Sequence, residues 1–303
     1  MRTKIFAHSR SDALLVLLAL VQLAVLVYGV LGFGGVAWGN SLALGLVSVF
    51  LMCTNFQCVA HNFIHNPFFK SRRLNLAFGV FNSLLIGGSQ SLYRIHHLHH
   101  HKYNNDAPDP ETGTTKDLTS TWKYSPWPWR EESFWSYALV GYFRSDFGFL
   151  LREVKRKGLL SWVIWEVAAQ LSLLIVMGVL NPRGLVLFYL PVWYFGNAAA
   201  QAENYLEHYG AIPGDRKTDS VSSYGRLYNL IWFNNGYHQE HHYRPQTHWT
   251  RVPEVRELLP PESARRVVRG AHWFNFGVRR EPTPSASTVR PESRPATTGY
   301  MAG

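Results

Sequence analysis

The sequence predicts an all-α membrane protein: four transmembrane helices in two hairpins, with a polar helical cap that holds a dimetal site. Three observations carry this expectation. Two pairs of long apolar segments are each joined by a short turn, basic residues gather at segment ends that share one side, and histidine clusters lie directly beside the apolar runs. Imidazole is costly at a membrane boundary unless it has a function there. Of 303 residues, 47% are apolar and 17% charged, against about 25% charged in a soluble domain. The mean hydropathy is −0.11, so a few spans with a sizeable polar part fit better than spans alone.

Residues 1–12 carry Arg2, Lys4 and Arg10 and read as a cytoplasmic N-terminus. No Asp, Glu, Lys or Arg occurs between Ala13 and Phe69. Spans are expected at 13–35, where Gln22 alone breaks the apolar run, and at 41–60, with a glycine-rich connection between them. Each reaches the roughly 20 residues that cross about 30 Å of hydrocarbon. A signal peptide fits poorly, because no clear cleavage site follows and a second span comes at once. The second hairpin is expected at 159–180 and 185–202, with Asn181-Pro182-Arg183-Gly184 as its turn, Glu166 and Gln170 as interruptions and Pro191 as a kink. Lys70, Arg72, Arg73, Arg152, Lys155, Arg156 and Lys157 flank the spans on the side of Arg10, which the positive-inside rule makes cytoplasmic.

Two further apolar segments need placing. Leu74–Tyr93 is uncharged and long enough to cross, but crossing would separate the first two histidine clusters by the bilayer thickness. It is therefore read as a partial or interfacial element bent at Gly87-Gly88. Phe134–Leu151, interrupted by Arg144 and Asp146, reads as an interfacial helix. Trp122, Trp127, Trp129 and Trp135 read as interfacial anchors. Residues 13–280 form one membrane domain, and the Pro-, Ser-, Thr- and Arg-rich stretch 281–303 reads as a disordered tail.

The net charge is +10. Its basic residues flank apolar spans instead of lining a groove, so orientation, not nucleic-acid binding, is the expected role. Attraction to anionic headgroups or to an acidic redox partner is a weaker reading. Cys53 and Cys58, five apart in an apolar run, read as buried free thiols.

The chemistry lies in the histidines. His61 and His65 are one helical turn apart and share a face. The run from His96 to His101 contains the spacing i, i+3, i+4 in two registers, either His97, His100 and His101 or His96, His99 and His100. His238, His241 and His242 repeat that spacing. Glu240 falls on another face and reads as a partner of histidines, not a ligand. Just past the fourth span, His208 reaches the same side, and Asn204 one turn earlier could bind through its amide oxygen or hold a water. Glu203 and Glu207 read as orienting groups. His8, His248 and His272 follow no pattern and read as surface residues. Imidazole suits iron, copper, zinc and nickel, and so many imidazoles are too many for one ion and about right for two. A zinc hydrolase needs only three or four ligands. A non-enzymatic metal transporter or sensor would place its ligands near the bilayer midplane, not at span ends.

The three boxes, His-x-x-x-His, His-x-x-His-His and His-x-x-His-His, resemble the integral-membrane fatty acid desaturase and hydroxylase superfamily over roughly residues 10–275. The sequence His100-His101-Lys-Tyr-Asn-Asn-Asp106 matches the desaturase branch and selects His97, His100 and His101. The resemblance implies two iron ions, O2 as co-substrate and four spans with a cytoplasmic cap. It also implies His61, His65, His97, His100, His101, His208, His238, His241 and His242 as ligands. Asn204 and His208 match the Asn-x-x-x-His element of acyl-CoA desaturases. The same stretch, Asn204-Tyr-Leu-Glu-His208-Tyr-Gly210, is also similar to bacterial alkane hydroxylases, and terminal-alkene-forming fatty acid decarboxylases share the scaffold. The expected function is O2-dependent desaturation of a fatty acyl lipid, with decarboxylation or hydroxylation as alternatives. No cytochrome b5 His-Pro-Gly-Gly element and no cysteine set for an iron–sulfur cluster is visible. A separate donor of ferredoxin, rubredoxin or cytochrome b5 type is therefore expected.

Overall fold

The structure, a computed structural model, describes residues 5–277 except 108, 110, 113–115, 118–121 and 123–130. Arg2, Lys4, Trp127, Trp129 and the stretch 281–303 lie outside the described residues. Helix α1 (Asp12–Gly32), helix α2 (Trp38–His65) and helix α7 (Leu160–Leu180) are long and apolar enough to cross a membrane. Leu17, Leu42, Leu46, Ile164, Val176 and Val179 on them are exposed, as expected of helices whose solvent is lipid. The expected fourth span corresponds to α8 (Leu190–Leu206), which continues without a break from Pro182–Gly184 and a π-helical turn, Leu185–Tyr189. That turn lies beside Pro191, whose missing N–H would leave an α-helical carbonyl unpaired. Small residues allow close crossings. Gly29 lies against Phe188 and Gly196 against Met52, with no room for a Cβ at either.

The segment Leu74–Tyr93 is not one helix. Helix α3 (Arg72–Ile86) ends at Gly87, whose φ of 65° is the left-handed conformation that glycine adopts freely. Its 15 residues reach about 22 Å at 1.5 Å per residue. Ser89 then caps α4 (Gln90–Tyr103), which carries the second histidine box. Phe134–Leu151 likewise divides, into α5 (Phe134–Val140), a 3-10 turn Gly141–Arg144 and α6 (Phe147–Arg156). The break falls where Arg144 pairs with Glu132 and Asp146 caps α6 through the Phe149 amide at 2.8 Å. Trp122 is not a surface anchor: it is buried and meets Tyr209 edge-on. Trp135 is exposed.

The few polar residues of the apolar helices are wired together. Gln22 in α1 donates to the Leu85 carbonyl at 2.9 Å and accepts from Asn55 in α2 at 2.6 Å. Asn55 also donates to Asn82 of α3 at 2.9 Å, and Asn82 donates to Gln90 of α4 at 2.9 Å. All four are buried, so this amide chain fixes how α1, α2, α3 and α4 sit beneath the histidine boxes. Asn55 opens the π-helical turn Asn55–Ala60 that immediately precedes His61, the kind of helix irregularity found at functional sites. Cys53 and Cys58 are buried and free.

After α8 the chain forms a short parallel pair, β1 (Ser222–Ser223) with β2 (Val267–Val268). Helix α9 (Arg226–Ile231) follows β1. Phe233 and Asn234 then adopt left-handed φ values of 49° and 61°, turning the chain into α10 (His238–Tyr243), the third box. At the other end, Asp12 accepts from His248 Nε2 at 2.8 Å and from Trp249 Nε1 at 3.0 Å. The start of α1 is thereby fastened to the segment that follows α10, and His248 is half-buried and bonded, not free at the surface.

Candidate metal centre

The nine histidines named from sequence converge in two groups. His61, His65, His97, His101 and His241 form one; His100, His208, His238 and His242 form the other. In each, one ring nitrogen per residue lies within 4.8 Å of all the others. In the first group Nε2 faces Nε2: His61 to His241 at 2.7 Å, His65 to His97 at 2.8 Å, His97 to His101 at 2.9 Å and His101 to His241 at 3.0 Å. In the second, His208 Nε2 is 3.1 Å from both His100 Nε2 and His238 Nε2. Neutral imidazoles cannot all hydrogen-bond in such rings, since each has one N–H. Ligands at right angles around an ion with metal–nitrogen bonds of about 2.1 Å lie ~3.0 Å apart, which is the observed spacing. His242 Nε2 is buried with no protein partner, as a ligand atom would be. The donor set fits two borderline metal ions, with His100-His101 divided between them.

Local structure prepares these atoms. His61 Nδ1 lies 3.0 Å from the Gln57 carbonyl, which requires Nδ1–H and leaves the Nε2 lone pair for a metal. His208 Nδ1 lies 2.9 Å from the Asn104 amide and 3.4 Å from the Asp219 carbonyl. Ligation through Nε2 puts the proton on Nδ1, so Asn104 would turn its amide oxygen toward the ring. Burial first, then the neighbouring imidazoles, push His97, His100, His101, His238, His241 and His242 well below the usual imidazole range. Burial lowers His208 to about 3. All seven are neutral at pH 7, the state that binds metals.

The residues between the clustered histidines hold the boxes in place. In α10, Gln239 accepts from Ser220 N at 2.8 Å and donates to the Arg216 carbonyl at 2.9 Å. Glu240 points away from both groups and accepts from Ser222 Oγ and Tyr224 Oη, each at 2.6 Å, with Arg265 3.7 Å away. Glu166 of α7 accepts from Ser89 Oγ, from Ser91 N at 3.1 Å and from Ser91 Oγ at 2.8 Å, pinning the start of α4. Two carboxylates approach the outer ring nitrogens: Glu207 Oε1 lies 3.7 Å from His238 Nδ1 and Asp219 Oδ1 3.9 Å from His242 Nδ1. Burial, then Glu203, raises Glu207 well above the usual carboxylate range, and burial raises Asp219 to about 7.

His272 overturns its reading as a surface residue. It is fully buried, with Nε2 2.9 Å from the Val221 carbonyl and Nδ1 2.9 Å from Tyr228 Oη, which also bonds Glu203. Glu203, Glu207 and His272 form a third compact group. His272 stands alone in sequence, so no spacing could reveal it. Asn104 and Glu166 were also missed as supports. Asn104 lay inside the matched Asn-Asn-Asp run, and Glu166 was the one acid of an apolar helix. His8 is exposed as expected, and His96 and His99 stay outside both groups.

A cavity of about 140 Å³ opens against His61, His97, His100 and His238, bringing both groups to one space. Phe56, Ile86, Leu92 and Leu150 give it apolar walls, while Asn197, Gln201 and Asn204 of α8 add amides. Apolar walls with a few placed polar groups are the usual lining of a small-molecule site.

A family model for fatty acid desaturases matches residues 37–273, from the start of α2 to beyond the third box. The chain belongs to the fatty acid desaturase family. Among curated proteins this desaturase-family chain is similar to a sphingolipid delta(4)-desaturase of Schizosaccharomyces pombe, at 28% identity over 219 residues, 68% of this chain and 58% of that protein. It is also similar to sphingolipid delta(4)-desaturases of Oryza sativa, at 29% over 214 residues (68% of this chain, 60% of the relative), and of Arabidopsis thaliana, at 25% over 210 residues (67% and 59%). The matches thus span about three fifths of the length of these relatives. No solved structure matches the chain significantly.

Proposed function

We propose that the protein is a membrane lipid desaturase that uses O2 and two iron ions to introduce a double bond into the chain of a fatty acyl or sphingoid lipid. The observation that carries this is the pair of histidine groups opening on one partly apolar cavity. In this reading His61, His65, His97, His101 and His241 hold one ion, and His100, His208, His238 and His242 hold the other. Asn204, one turn before His208, offers an amide oxygen to a water at the second. The irons would supply the oxidising power needed to remove hydrogen from an unactivated methylene. In sum, dioxygen takes two hydrogen atoms from the chain and two electrons, with two protons, by way of a donor, and leaves as two waters. The cavity walls hold the chain against the ligands, because fractions of an ångström separate loss of a second hydrogen from hydroxylation.

The same proposal sets α1, α2, α7 and the 182–206 helix as four spans in two hairpins, within a membrane domain of residues 13–280. The histidine groups lie on the cytoplasmic side that the basic flanks select. There a ferredoxin, rubredoxin or cytochrome b5-type donor delivers electrons. The sphingolipid names of the relatives support a sphingoid substrate.

Gas chromatography–mass spectrometry of cells expressing the wild type or His242→Ala, fed dihydrosphingolipids and fatty acids of several lengths, tests the reading. O2-dependent internal double bonds lost in the variant are expected. Hydroxylated chains, or terminal alkenes one carbon shorter, would reassign the reaction on the same scaffold. No difference between the two would overturn it.

A further inference from the structure

Helix α4 presents two functional faces, and the histidine groups account for one. At roughly 100° per residue, His97, His100 and His101 point to one side. Ile95, Leu98, His99 and Lys102, spaced i, i+3, i+4 and i+7, form a stripe on the other. That stripe lines a separate cleft of about 470 Å³. Phe149, Glu153 and Arg156 face it from α6 at i, i+4 and i+7, and Tyr103, Lys116 and Lys157 complete its rim. His99, which stays outside both metal groups, organises the cleft. Its ring packs against Phe149 and Tyr103, with centroids 4.7 and 4.8 Å apart, and its Nε2–H donates to the Lys116 carbonyl at 2.8 Å.

The cleft is strongly basic. Four cationic side chains meet one carboxylate there. Arg156 spends its guanidinium on Glu153, at 2.9 and 2.6 Å. Lys102, Lys116 and Lys157 are exposed and make no ion pair among the described residues. Like charges around one concavity repel each other, and an anion seated between them relieves that cost.

Its position selects the anion. Lys157 closes α6 in the turn that opens α7, where Leu160 and Ile164 are exposed. Phe147 and Leu151 of α6 are exposed as well, while Leu150 and Val154 are buried beside Ile95 and Val163. A helix with an exposed apolar edge and a basic one lies in the headgroup layer, so the cleft opens at the depth of lipid phosphates. Basic pockets between helices at that depth suit phosphorylated headgroups. A protein partner presents a broad face that a cleft of this volume does not admit. A phosphate with a small polyol enters it, and Ile95 and Leu98 can take the first methylenes of the acyl chains.

We infer that this cleft holds the phosphate headgroup of an anionic membrane lipid, bound by Lys102, Lys116 and Lys157, which fastens the outer face of α4 to α6 behind the second histidine box. The inference goes beyond the desaturase reading and needs only that α7 spans the membrane.

Native mass spectrometry of the full chain in detergent, with bound lipid counted, is the test. The probes are phosphatidylglycerol, phosphatidylcholine with the same acyl chains, and glycerol phosphate. Phosphatidylglycerol should bind at least about tenfold more tightly than phosphatidylcholine, and a spin-column retention assay should show that preference shrinking as salt is raised. Lys102→Gln combined with Lys157→Gln should remove most of the preference. Arg152→Gln combined with Lys155→Gln takes the same charge from α6 outside the cleft and should keep it. All four positions are exposed, so folding is not at stake. Equal binding of the two lipids, equal loss in the two double variants, or glycerol phosphate binding as tightly as phosphatidylglycerol would each overturn the inference. So would cleft variants that release an acidic ferredoxin while keeping the lipid preference. Selective lipid binding without any oxygen-dependent lipid product would sink the desaturase reading and leave this one standing.

Discussion

Glu166→Ala is the most informative perturbation of the scaffold, because it touches no ligand and yet should loosen the metal centre. Glu166 is 3% exposed and its carboxylate accepts three hydrogen bonds, from Ser89 Oγ, Ser91 N and Ser91 Oγ. Hydrogen bonds to a charged group are worth about 1.5–3 kcal/mol each, and a carboxylate at a helix N-terminus gains a further ~0.3–1 kcal/mol. Truncation also relieves the cost of burying the charge, so the net loss is on the order of 3 kcal/mol. Helix α4 carries His97 and His101 to one metal group and His100 to the other, so a loosened start to α4 weakens both. Thermal unfolding in detergent should show a midpoint lowered by about 6 °C, and iron titration should require roughly a hundredfold more free metal for half-loading. Glu166→Gln keeps an acceptor oxygen and should fall between the two. A Glu166→Ala protein within about 1 °C of wild type, with normal iron uptake, would refute the claim that this carboxylate positions the second box.

Other consequences are equally direct. Asn82→Leu cuts the amide chain between Asn55 and Gln90, leaving two buried amides short of a partner, and should cost about 2–4 kcal/mol in the same unfolding assay. Glu240→Gln weakens the bonds from Ser222 and Tyr224 and leaves Arg265 buried without its counter-charge; a loss of about 3 kcal/mol is expected, where an unchanged midpoint would argue against α10 being anchored there. His65→Ala and His242→Ala each remove a histidine from a different group, a ligand in the proposed diiron reading. Iron per chain should therefore fall from two toward one in either variant and toward zero when both are combined. A single loss that empties both sites would contradict two separable groups.

The sequence by itself determined which histidines share a helical face. Long uncharged runs dictate spans because an unpaired backbone in lipid is costly, and three of the four expected spans recur as helices of sufficient length and hydropathy. The spacings i+3 and i+4 put the histidines of each box on neighbouring faces. Tertiary structure decided how those histidines are shared. At roughly 100° per residue, His97 and His101 point nearly together while His100 is turned away. Adjacent His100 and His101 consequently enter different groups, and the third box divides in the same way, His241 from His238 and His242. Which turn faces which histidine group depends on the packing of α2, α4, α8 and α10, which the amide chain from Gln22 to Gln90, the Glu166 clamp and the Glu240 anchor fix. Those partners lie up to 77 residues apart along the chain, beyond the reach of any local period. For the same reason His272, a lone histidine in sequence, proved buried beside Glu203 and Glu207: periodicity reports a face, and only a folded neighbour reports what that face meets.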